Sequence, residues 1–192
     1  MNLHQQVSEA SKRIEGKLNV TPLGYSHWLK CYLKLESEQV TGSFKARGAM
    51  NKVLSLNSDE IQRGIITAST GNHAMAVTNA IKVYKLENPE ATINSSIYLP
   101  ENGSTAKIEA LQRVGANLKL FGTDSIQTEV EALRVATETN AVYISPYNDI
   151  MVAAGQGTIA VEMLNQINGK LDAVFVAVGG GGLISGIAAY LK

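Results

Sequence analysis

Four consecutive glycines, Gly179, Gly180, Gly181 and Gly182, follow the apolar run 173–178 and precede a second apolar stretch. Residues without a Cβ at the entry of a helix let main-chain N–H groups converge, and the helix dipole adds positive potential there. The segment therefore reads as an anion cradle, with phosphate as its natural occupant. A dinucleotide fingerprint does not fit, because G-x-G-x-x-G counted from Gly179 or Gly180 ends on Ile184 or Ser185. No Lys-Ser or Lys-Thr pair follows the glycines, which removes a Walker loop. The competing reading is a tight turn that lets a helix pack closely.

A second segment, Thr-Gly-Ser-Phe-Lys45-Ala-Arg-Gly48, places Ser43 as a helix cap and Lys45 in the first helical turn, where the dipole disfavours a cation. Held beside Phe44 in a partly apolar pocket, the amine would have a lowered pKa and could attack an aldehyde as a Schiff-base lysine does. The plain alternative is a solvated surface charge. Arg47 reads as a helix-surface or ion-pairing residue.

The third segment, Ser69-Thr70-Gly71-Asn72-His73, leaves an apolar run and opens a helix, so its hydroxyls and free amides suit a carboxylate. Asn72 could reach a ring hydroxyl or carbonyl, and His73 divides evenly between helix packing and a site role. No metal is expected: His4 and His27 lack partners at ligand spacing, H-E-x-x-H is absent, and there is a single cysteine. A serine-hydrolase elbow is also missing, since in Gly182-Leu-Ile-Ser-Gly186 the serine falls one place late.

The elements that must position these segments alternate in kind. Short β-branched runs at 31–36, 64–69, 96–99, 118–121, 142–145 and 173–178 alternate with helical stretches at 3–16, 43–56, 72–86, 105–114, 125–140 and 151–167, and a last helix begins near Leu183. This is an α/β pattern with helices as crossovers between parallel strands. Ser104 and the Gly122-Thr-Asp124 turn read as helix entries, Gly115 and Gly169 as exits, and 86–95 as a surface excursion.

At 192 residues, with 45% hydrophobic and 18% charged residues, the chain has ample length for a buried core. Lys plus Arg equals Asp plus Glu at 17 each, so nothing draws it generally to nucleic acid. Cys31 has no partner in the chain and reads as a buried thiol in a reducing, cytoplasmic setting. No signal peptide or membrane-spanning run is visible.

Taken together, the Lys45 segment, Ser69 to His73, Gly155-Gln-Gly-Thr158 and the glycine tract resemble the serine/threonine dehydratase family. These are fold-type II pyridoxal-phosphate enzymes of the tryptophan synthase β type, and they include threonine dehydratases and serine racemases. The resemblance runs over 21–192 and takes in 33–36, Leu99-Pro100, Lys107 and Gly115-Ala116.

The resemblance implies that Lys45 carries pyridoxal 5'-phosphate through a Schiff base and that Phe44 packs at its ring. Asn72 would bond the ring's 3-oxygen, and Gly179, Gly180, Gly181, Gly182 and Leu183 would hold the phosphate. Ser69, Thr70, Gly71 and His73 would receive the substrate carboxylate. It implies a larger cofactor-binding domain from 1–63 and 147–192 and a smaller central domain over 64–146, with parallel-sheet layers in each. The expected activity is conversion of L-threonine or L-serine to a 2-oxo acid and ammonia. Serine racemization is the alternative, with Thr70 as a second acid/base.

Family members continue past the glycine tract, so the larger domain is expected to be incomplete. A fragment with weak or no turnover alone, dependent on self-association or on a complementing chain, is the corresponding expectation. Tyr147 stands where relatives carry asparagine or phenylalanine, which leaves substrate preference open.

Overall fold

A computed structural model describes residues 2–69 and 71–192. Helix α1 (Leu3–Ile14) opens with a capping box in which Asn2 and Gln5 satisfy one another's main-chain N–H groups. A hairpin follows, β1 (Leu23–Ser26) antiparallel to β2 (Cys31–Lys34), and then α2 (Lys45–Leu54) and the short α3 (Ser58–Arg63).

The central sheet comes next, as β3 (Ile65–Ala68), α4 (Asn72–Glu87), β4 (Ser95–Leu99), α5 (Thr105–Arg113), β5 (Leu118–Leu120), α6 (Ser125–Glu138) and β6 (Val142–Tyr143). Helices α7 (Ile150–Gln166) and α8 (Gly182–Leu191) complete the described chain.

All pairs in the four-stranded sheet are parallel, in the order β5-β4-β3-β6. The chain steps outward from β3 to β5 and then returns through α6 to place β6 on the opposite side of β3. The strand order thus reverses between β3 and β6, and in parallel sheets ligands bind in the crevice beyond the carboxyl ends of strands at such a reversal. The segments starting at Ser69 and Ser145 leave the sheet at that point.

Every residue of β3 is buried, as befits a central parallel strand. One side of the sheet packs Ile66 and Ala68 against Ala132 and Ala136 of α6. The main core gathers Ile65 with Ala49, Met50 and Val53 of α2, Val77 and Ala80 of α4, and Val152 of α7.

Several expectations are corrected. Residues 173–178 form no strand and pair with none among the described residues. Val174 and Val176 pack on the cluster of Ile159, Met163 and Ile187, while Phe175 between them is 96% exposed. Alternating burial produced the strand-like pattern without a ladder. Cys31 is exposed, because the four-residue β2 pairs only with β1 and its first three residues face solvent.

Ser43 does not cap α2: Phe44 occupies that position in a helical conformation, and Ser43 Oγ instead accepts a long hydrogen bond from the Lys45 N–H, 3.4 Å. Ser104 does precede α5 but makes no side-chain cap, whereas Asp124 caps α6 through the N–H groups of Ile126 and Gln127. Helix α3 and strand β1 fall in stretches that periodicity had left unassigned.

Candidate active site

Lys45 is the first residue of α2 and is half-buried. Its Nζ donates to the Pro146 carbonyl at 2.6 Å and lies 5.3 Å from the centre of the Phe44 ring. Burial lowers its pKa below the ordinary lysine value. Lys45 takes part in none of the ion pairs among the described residues, so no carboxylate offsets that burial. The amine is therefore biased toward its neutral, nucleophilic form.

The position of Lys45 depends on close helix crossings. A Cβ on Gly155 of α7 would sit 2.5 Å from the Arg47 carbonyl oxygen and 2.6 Å from Gly48 Cα. Main chain thus rests on main chain where α2 meets α7, and this seats the start of α2 over the cleft. Two residues beyond Lys45, Arg47 is only 1% exposed and is fully engaged. Its guanidinium donates to Glu36 at 2.8 Å from both Nε and Nη2, to Glu162 at 2.6 and 2.9 Å, and to the hydroxyls of Thr21 and Thr158 at 3.2 Å. Arg47 is an ion-pairing residue of the interior, tying α2 to α7 and to the segments on either side of the β1–β2 hairpin.

Opposite Lys45 lies the glycine tract. Gly181 has φ +87° and stands at the N-terminus of α8, a left-handed turn that favours glycine. A Cβ on Gly180 would fall 2.3 Å from Cγ of Tyr147, so the ring of Tyr147 lies directly on the tract. Lys45, Phe44, Pro146, Tyr147, Gln156 and residues 179–184 enclose a cleft of about 310 Å³. The structure thus brings Phe44, Lys45, Gly179, Gly180, Gly181, Gly182 and Leu183 together.

The turn after β3 stands beside this cleft at the sheet's carboxyl edge. Ser69 is half-buried, and its Oγ accepts from the Gly71 N–H at 3.3 Å. Asn72 is exposed at the first position of α4. Thr70 lies outside the described residues.

His73 points inward and is 2% exposed. Its Nε2 is 3.2 Å from the Ile144 carbonyl, which assigns the ring proton to Nε2, and burial drops its pKa to about 4. Of the two roles its sequence position left open, the side chain takes the packing one, and its main-chain N–H remains as a donor at the helix start.

Two residues of the cleft escaped notice as site residues in the sequence. Gln156 accepts from the Gly48 N–H at 3.2 Å, yet its buried Nε2 has no hydrogen-bond partner among the described residues. An orphaned donor lining a cavity calls for an acceptor from a bound molecule. Tyr147 also lines the cleft, and its neighbour Pro146 holds Lys45 Nζ. A nucleophilic amine, a cradle of N–H groups that side chains would fill, and an unpaired amide donor suit a molecule bearing both an aldehyde and a phosphate.

The model of the pyridoxal-phosphate dependent enzymes matches residues 14–192. The chain belongs to that family. It is 37% identical to the L-threonine ammonia-lyase of Thermotoga maritima over 98% of its own length and 46% of that protein. It is 39% identical to a catabolic L-threonine dehydratase of Staphylococcus aureus, over 97% of its length and 54% of that protein.

Among solved structures, maize serine racemase superposes with a TM-score of 0.88 at 33% identity, covering 98% of this chain and 57% of that one. The processed threonine deaminase isoform 2 of Solanum lycopersicum gives 0.88 at 32%, covering 99% and 55%. The fold is thus the fold-type II architecture, and the chain spans about half the length of the curated relatives it matches. Among the described residues, no helix is long and apolar enough to cross a membrane.

Proposed function

We propose that the chain carries the cofactor- and substrate-binding residues of a pyridoxal 5'-phosphate dependent ammonia-lyase that converts L-threonine or L-serine to a 2-oxo acid and ammonia. One observation carries the reading: Lys45 Nζ, biased toward neutrality by burial, opens onto the same cleft as the N–H groups of the glycine tract. Bound there, the cofactor supplies an aldehyde for a primary amine and a ring that accepts the electron pair left at Cα when its proton departs.

Lys45 Nζ would hold the aldehyde end and would be the base for the substrate's Cα proton; both tasks need the neutral amine that burial favours. The N–H groups at residues 179–183 and the α8 dipole would hold the phosphate, Phe44 would pack at the ring, and Asn72 would bond the ring oxygen. Gln156 Nε2 offers a further donor inside the cleft. Ser69, Thr70, Gly71 and the His73 N–H orient the substrate carboxylate.

Serine racemization is the second reading. The structural likeness to maize serine racemase favours it, and Thr70 is the hydroxyl that would return a proton to the opposite face.

We assign 64–146 to a smaller central domain and 1–63 with 147–192 to part of a larger one. The four parallel strands all falling between Ile65 and Tyr143 support this division. A reducing, cytoplasmic setting accords with the lone exposed thiol of Cys31. Self-association or a complementing chain accords with Trp28, Tyr32, Phe175 and Val178, all exposed.

Incubation of the chain with pyridoxal phosphate, borohydride reduction and peptide mass mapping should give one pyridoxyl adduct at Lys45, accompanied by an absorbance band that Lys45→Ala removes. An unmodified Lys45 peptide sinks the assignment.

A further inference from the structure

Beside the lysine cleft lies a second cavity of about 220 Å³, and the two share the wall made by Pro146 and Tyr147. Its other side is formed by Ser69 after β3, Tyr98 of β4, and Ser125 and Glu129 of α6. Glu129 is the one charged side chain among its lining residues.

The Glu129 carboxylate accepts from the Tyr147 hydroxyl, at 3.2 and 3.3 Å, and from the Tyr143 hydroxyl at 3.4 Å. Glu129 belongs to none of the ion pairs among the described residues. A carboxylate offers about four acceptor positions, and two tyrosyl hydroxyls can fill only two of them. The remaining capacity is free at a cavity whose lining residues include no cation.

The anchor points of the lysine cleft flank this cavity. Pro146, whose carbonyl holds Lys45 Nζ, is one wall, and Ser69, from the turn suited to a substrate carboxylate, is another. An amino acid engaged at both would have its side chain next to Glu129. We propose that the Glu129 cavity selects substrates by side-chain charge, taking an α-amino acid that carries a second ammonium group, with Glu129 as its counter-ion and Tyr143 and Tyr147 fixing that carboxylate.

The proposal rests on the reading of the Lys45 cleft as the reacting site and adds a cationic class to the hydroxy amino acids named there. A neutral hydroxyl can give Glu129 one ordinary hydrogen bond, an ammonium gives a charge-assisted one, and an anionic side chain is repelled. Tyr147 helps to orient the carboxylate, with Tyr143 as its second donor, while the preference itself comes from the charge of Glu129.

The test uses the 192-residue chain with ring-¹³C-labelled tyrosine and needs no cofactor. L-2,4-diaminobutyrate and L-homoserine differ only in an ammonium against a hydroxyl at the end of the side chain. In NMR titrations at neutral pH, diaminobutyrate should move the Tyr143 and Tyr147 ring signals at concentrations at least about tenfold lower than homoserine, and L-aspartate should leave them in place.

Glu129→Gln should bring the first two ligands within about twofold of each other, and Tyr147→Phe, which keeps the charge, should retain a preference for the cation. Equal titration by the two ligands in the unsubstituted chain, no shift with diaminobutyrate, or an undiminished preference in folded Glu129→Gln overturns the proposal. Borohydride trapping at Lys45 reports separately on the lysine. Trapping without the charge preference defeats only the cavity's role, whereas the preference without trapping defeats the lysine's.

Discussion

Substituting Gly155 by alanine tests whether the α2–α7 crossing positions Lys45. The added Cβ would meet the Arg47 carbonyl oxygen at 2.5 Å and Gly48 Cα at 2.6 Å, both main-chain atoms held by helical hydrogen bonds. No rotamer change relieves such contacts, so one helix must shift bodily. Overpacking typically costs 1–3 kcal/mol, and with backbone on both sides the upper end applies, about 3 kcal/mol.

In urea, with a slope of about 2 kcal/mol/M for a chain of this size, the unfolding midpoint should fall by about 1.5 M. Gly179→Ala is the internal control. Nothing lies within 4 Å of its would-be Cβ and its φ is not positive, so its midpoint should stay within about 0.3 M of the original. Because α2 carries Lys45 at its first position, Gly155→Ala should also lower the yield of borohydride-trapped pyridoxyl lysine in the fraction that remains folded. A midpoint for Gly155→Ala as close to the original as that of Gly179→Ala refutes the packing argument.

Two further outcomes follow from the buried polar groups. His73 has a pKa depressed from 6.5 to about 4, so as pH falls through that interval the unfolded chain takes up the proton first and stability is lost. The contribution reaches about 3 kcal/mol by pH 4; urea midpoints measured against pH should fall more steeply for the original chain than for His73→Phe, and parallel profiles would contradict the burial of a neutral imidazole. Arg47→Met leaves Glu36 without its cation, while Glu162 keeps Lys34 at 2.6 Å. The loss should be about 3 kcal/mol and should be partly recovered in Arg47→Met/Glu36→Gln, whereas equal midpoints for the single and double variants would show that the orphaned carboxylate is not the cause.

Much of this organisation was legible in the sequence. Apolar spacing located seven of the helices and five of the strands, with ends within a few residues, because helical period and strand alternation are local properties. The glycine tract and Lys45 were legible as chemistry because a run without Cβ atoms and a cation at a helix N-terminus both conflict with ordinary local preference. Strand β1 and helix α3 escaped: β1 carries a glycine and a serine in four residues, and α3 is little more than one turn, too short to show a period.

What the sequence determined by itself was the order of elements, the family motifs and the residue types able to do chemistry, since each depends on neighbours a few positions apart. Tertiary structure alone decided that Arg47 is interior, that His73 turns away from the ligand side of its own turn, and that 173–178 joins no ladder. It also set Tyr147 across the glycine tract with its hydroxyl on Glu129, 18 residues earlier in the chain. Burial and pairing are properties of groups distant in sequence, and a residue's own local pattern carries no information about which of them it will meet.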